Sequence, residues 1–174
     1  MRAGRVWPVA LRLAAALAAA LAVTAGGAGL FIASGVYNIG ADDHHTALVS
    51  ALIAHLRDRS IEVRARAVAL PDLSGATRIE AGARRYALEC AGCHLGPGVN
   101  RSELRRGLYP HPPSLAQQAP PDPRRAFWII KHGIKMSAMP AWGTTLEDPA
   151  LWELVAFLEQ LPAMTPADYQ RLTR

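Results

Sequence analysis

From Leu13 to Val36 the chain reads LAAALAAALAVTAGGAGLFIASGV, a run without a single charge. In hydrocarbon every backbone polar group must be satisfied within the segment, so such a run can only be a helix, and about 20 residues suffice to cross. Arginines 2, 5 and 12 and Trp7 precede it; Tyr37, Asp42 and Asp43 follow. The positive-inside rule then puts residues 1–12 in the cytoplasm, 13–36 in the membrane and the rest of the chain outside. A cleavable signal peptide is the alternative, because Val23-Thr24-Ala25 offers a small-x-small site. Leu30, Phe31 and Ile32 extend the apolar run well past it, which favours an uncleaved anchor. Either way the remainder is exported.

The chain has 174 residues, room for one compact domain plus accessory segments. Its 19 basic residues exceed 14 acidic ones, yet three of the arginines lie ahead of the span, leaving 16 against 14. That surplus, the 6% aromatic content and the lack of a nucleic-acid-binding motif exclude a nucleic-acid partner. Residues 37–75 read as a stalk. Leu48, Val49, Leu52, Ile53 and Leu56 recur at helical spacing and predict an amphipathic helix over Thr46 to Arg59, lying on the membrane or on the domain. Ile61, Val63, Ala65 and Ala67 alternate with charged residues, which predicts an extended segment after it. Asp42, Asp43, His44 and His45 form too small a donor set for a metal and read as a solvated turn.

The two cysteines stand in Cys90-Ala91-Gly92-Cys93-His94, the C-x-x-C-H attachment signature of a c-type haem. On one helical turn, thiols three apart project to one side and reach the two vinyl groups of one porphyrin. The next residue, His94, is then placed to serve as the proximal iron ligand. A thioredoxin-like pair needs a βαβ context, and zinc needs a second ligand pair that a two-cysteine chain lacks. For the sixth coordination position the chain offers Met136 and Met139, ahead of Pro140, whose ring fixes the backbone. Gly82 and Tyr86, four apart on one predicted helix, and Leu151, Trp152, Leu154, Val155, Phe157 and Leu158 on the last one predict that helices near 79–91 and 146–161 cross.

Taken together, C-A-G-C-H, the P-P-S-L stretch at 112–115, G-I-K-M-S-A-M-P-A-W-G at 133–143 and a final amphipathic helix resemble the class I monohaem cytochrome c family, of the membrane-anchored bacterial type. The resemblance covers about 78–162. It implies an all-α cytochrome c fold around one covalent haem c in residues 76–163, behind a single transmembrane helix and stalk, with 164–174 as a tail. By the same resemblance Met139 is the axial ligand and Met136 the alternative, Pro113 offers its carbonyl to the other ring nitrogen of His94, and Leu115 packs on the porphyrin. The insertion Arg101 to His111 is longer than in the small soluble members.

With a His/Met-ligated haem, no second cofactor motif and no plausible catalytic dyad, the expected function is electron transfer rather than enzymatic catalysis. The expected place is a bacterial inner membrane, with the haem domain in the periplasm and redox proteins of a respiratory chain as partners. Arg101, Arg105, Arg106, Arg124, Arg125, Lys131 and Lys135 are available to ring the haem edge and steer an acidic partner. Two alternatives have discriminating features. A haem subunit of a respiratory dehydrogenase or oxidase complex would use the stalk as an interface. A peroxidase or gas sensor would need the methionine to leave the iron, with His111 or His132 on the distal side.

Overall fold

The computed structural model describes residues 6–174 and divides them between a unit ending at Asp43 and a unit from His44 to Arg174. In the first unit, α1 (Val6–Ser34) is a 29-residue helix, about 43 Å long at 1.5 Å per residue. It starts earlier than the charge-free run because Val6 to Arg12 also suit a helix, Pro8 falling in the first turn where no N–H is missed. Arg12 is inside it; Arg2 and Arg5, on which the orientation argument leans, lie outside the described residues. Pro8–Ser34 is long and apolar enough to cross a membrane. The hydroxyls of Thr24 and Ser34 donate back to the carbonyls of Ala20 and Phe31, at 2.9 and 2.7 Å, so neither is left unpaired in an apolar setting. Gly35, at φ +63°, ends the helix.

The second unit is helical throughout, and no strand occurs among the described residues. Its helices are α2 (Ala47–Ala65), α3 (Ala76–Glu89), α4 (Ala91–His94), α5 (Glu103–Arg106), α6 (Pro123–His132), α7 (Asp148–Gln160) and α8 (Pro166–Leu172). The centre is the crossing of α3 and α7. A Cβ on Gly82 would overlap the Glu153 carbonyl and come within 2.9 Å of Phe157 Cβ, so the two backbones meet where only glycine fits. Four residues on, Tyr86 fills the space beside the crossing, its ring 5.3 Å from that of Phe157. Leu151, Leu154, Val155, Phe157, Leu158 and Leu161 are all buried: α7 is covered on nearly every side, with α6 laid against it through Phe127 stacked on Trp152 at 4.1 Å.

Two expectations need correction. The segment from Ile61 is not extended; α2 runs on to Ala65. Alternation competes there with a helical pattern. Ile61 and Ala65, four apart, are buried on the side of α2 that packs on α6, and Glu62 pairs with both Arg59 and Arg66 at helical spacing. Residues 164–174, expected as a C-terminal tail, contain α8. Thr165 caps α8 by accepting from the Asp168 N–H, and Tyr169 packs edge-on to Tyr86 at 6.4 Å. The Gly82→Ala variant should lose about 3 kcal/mol of stability, because its methyl meets backbone that cannot step aside. Chemical denaturation followed by near-ultraviolet circular dichroism measures this.

Candidate haem site

Helix α3 ends at Glu89. Cys90 departs from helical geometry at φ −115°, and one tight turn, α4, restarts with the His94 and Cys93 N–H groups donating to the Cys90 carbonyl at 2.9 and 3.1 Å. This turn carries both cysteines and the histidine. The two cysteines form no disulfide, and each is partly buried. Cys90 lies against the core, and burial pushes its thiol up to about 12, with the Glu89 charge adding to the shift. A Cβ on Gly92 would meet nothing within 4 Å, so the turn is open at this position.

The turn stops at Leu95, which is buried although its φ is +64°. Such a backbone costs roughly 1 kcal/mol or more in a non-glycine residue and persists only where its surroundings fix it. Here the buried Tyr86 hydroxyl donates to the Leu95 carbonyl at 2.6 Å, tying the end of the motif to the α3–α7 crossing. Sequence reasoning placed Tyr86 at the crossing and missed this bond. A buried tyrosine signals that its hydroxyl needs a partner, but not which one.

His94 is held twice. Its Nδ1 lies 2.9 Å from the Pro113 carbonyl, and its own carbonyl accepts the Leu115 N–H at 3.2 Å. A carbonyl only accepts, so Nδ1 carries the proton and Nε2 keeps its lone pair. Burial holds the His94 imidazolium below the usual histidine range; the bond to Pro113 opposes this and the Arg105 charge adds to it. The neutral, ligating form is thereby favoured at neutral pH. Arg105 Nε donates to the Pro112 carbonyl at 3.2 Å, and the Ser102 hydroxyl, which caps α5, donates to the Gly92 carbonyl. The insertion is thus stitched to the motif through Ser102 and to the Pro112–Leu115 segment through Arg105, by bonds that no motif announced. Leu115 is packed against the core.

The two methionines differ. Ile134 N–H donates to the Met139 carbonyl and Met139 N–H donates to Ser137 Oγ, both at 3.2 Å, while the Ser137 hydroxyl donates to the Ile134 carbonyl at 2.8 Å. Gly133, at φ +64°, closes this loop: a Cβ there would stand 2.7 Å from the Met139 carbonyl. Met139 packs against the core, whereas Met136 is 98% exposed on a backbone at φ +57°. His111 is exposed, and His132 ends α6 beside Trp128 at 4.8 Å between ring centres. His44 stacks on Tyr109 at 4.3 Å.

Two cysteines on one turn beside an open glycine, an imidazole with Nδ1 engaged by Pro113 and a methionine packed against the core form a donor set that fits haem c. Among the described residues no group of histidine, cysteine or carboxylate side chains is large enough to hold a bare metal ion instead. Fold and motif therefore define the class, a c-type cytochrome domain carrying covalent haem c. Residues 77–158 match the family model described as cytochrome c oxidase, cbb3-type, subunit III, which supports a class I c-type cytochrome domain in this segment. No curated protein and no solved structure gave a significant match. Replacing Tyr86 by Phe keeps the packing and orphans the Leu95 carbonyl; the expected loss is about 1–2 kcal/mol, measured by thermal unfolding.

Proposed function

We propose that this protein is a membrane-anchored electron carrier whose haem domain faces the periplasm, with thioethers at Cys90 and Cys93 and with His94 and Met139 as the axial pair. A c-type cytochrome domain of this type serves haem-based electron transfer in a respiratory chain. When bound, the haem supplies a one-electron Fe(III)/Fe(II) couple. The protein's part is to hold it. Cys90 and Cys93 fix it to the turn, Pro113 orients the imidazole and makes it more basic, and the 133–141 loop presents Met139. A carrier gains from such stiffness, since little has to move when the charge on the iron changes.

The observation that carries this reading is the asymmetry between the methionines: one pinned against the core, the other in solvent. The anchor rests on the apolar helix and the periplasmic side on the arginines before it. Of the seven cations between Arg101 and Lys135, four are engaged within the domain: Arg105 with Pro112, Arg106 with Glu103, Arg125 with Asp58 and Lys131 with Asp148. Attraction for an acidic redox partner then falls mainly to Arg101, Arg124 and Lys135.

Met139→Ala should lower the reduction potential by on the order of 100 mV, a fraction of the ~0.8 V that axial ligation spans. It should also lose the weak sulfur-to-iron band near the red end of the visible spectrum and bind carbon monoxide, which the parent does not; Met136→Ala should change none of these. Rapid carbon monoxide binding by the reduced parent would instead support the sensor or peroxidase reading. The family match favours one other assignment, a haem subunit of a respiratory oxidase. Mild detergent extraction separates the two, a carrier migrating alone and a subunit comigrating with an oxidase.

A further inference from the structure

Helix α2 wears its most apolar face outward. Ile61 and Ala65 are buried on the side that packs on α6. Leu52 and Leu56 stand nine residues before them, and nine steps of about 100° turn a helix by two and a half revolutions, so they point in the opposite direction. Leu48, Leu52, Leu56 and Val63 line this outer face, each more than half exposed, with Val49 and Ile53 at its edge. An isolated exposed leucine needs no explanation, but a continuous stripe does.

Charge is also unevenly distributed along the axis. Residues 47–56 contain no Asp, Glu, Lys or Arg, whereas Arg57, Asp58, Arg59, Glu62, Arg64 and Arg66 crowd the second half and its cap. They pair in part, Arg57 with Asp58 and Glu62 with Arg59 and Arg66, and four arginines against two acids leave two positive charges over. The apolar part is the part nearest in sequence to the membrane-spanning helix. A dozen residues, 35–46, separate α1 from α2 and can reach at most about 42 Å, so lipid is always within range of the stripe. A water-soluble partner enjoys no such advantage. Asp42 and Asp43 in the connection offset the surplus positive charge of α2 and its cap, so residues 42–66 carry no net charge to draw anionic headgroups.

We infer that the outer face of α2, built on Leu48, Leu52 and Leu56, is seated in the interface of a zwitterionic lipid bilayer. The inference rests on reading α1 as an uncleaved anchor. Since the opposite face of α2 is packed on α6, seating α2 fixes the orientation of the haem domain at the membrane, leaving the anchor with one tether and one footplate.

The test uses the full haem-loaded chain in phosphatidylcholine vesicles, with one nitroxide on Leu52→Cys, Leu21→Cys or Arg64→Cys; thioether formation at Cys90 and Cys93 leaves the new thiol as the only reactive one. Collisional accessibility to oxygen and to a water-soluble nickel chelate is read at each site. The oxygen-to-nickel ratio at Leu52 should exceed that at Arg64 several-fold and approach that at Leu21. A ratio at Leu52 equal to that at Arg64, with Leu21 still lipid-like, overturns this inference and leaves the anchor standing. Shielding of Leu52 from both reagents marks a protein partner or a second copy, and overturns it too. Nickel access at Leu21 refutes the anchor itself, and the inference with it.

Discussion

The contact between α3 and α7 at Gly82 is the constraint from which the haem site follows. Because the backbones touch there, Tyr86 is driven into the space beside them, and its hydroxyl lands on the Leu95 carbonyl. That bond holds the positive-φ residue that ends the C-x-x-C-H turn, so the direction in which His94 leaves the chain depends on a packing event three turns earlier. Tyr169 of α8 closes over the same ring, joining the end of the chain to the motif.

A domain of this size buries a limited amount of apolar surface, and small domains usually need a staple. Covalent haem c is such a staple, and the polypeptide is organised to receive it. The Pro112–Leu115 segment grips both the side chain and the backbone of His94, and Arg105 grips the segment in turn. These bonds use carbonyls that have no helical partner, next to prolines that have no N–H to donate. The loop-rich middle of the chain thus supplies acceptors where regular helices would have consumed them.

How far the sequence led can be read at particular residues. The crossing was legible because glycine and tyrosine four apart on an apolar stripe describe a helix contact directly. The helix continuing to Ala65 was not, since Ile61, Val63 and Ala65 fit both a two-residue and a helical period, and burial against α6 decides between them. Residues 164–174 looked like a tail because Tyr169 and Leu172 are too few to declare a face until Tyr86 and Phe157 are seen beneath them.

The sequence by itself determined the chemistry of attachment and the presence of a helix long and apolar enough to span a membrane. Both are local: two thiols and an imidazole within five residues, and an unbroken charge-free run whose backbone can only be helical in lipid. Tertiary structure decided everything that joins distant positions. It set Pro113 against His94 Nδ1, pinned Met139 through Ile134 and Ser137 while leaving Met136 in solvent, and turned the leucines of α2 away from the domain. Each of these depends on which groups are left unpaired once the core has closed, and that is a property of the packed chain rather than of any segment of it.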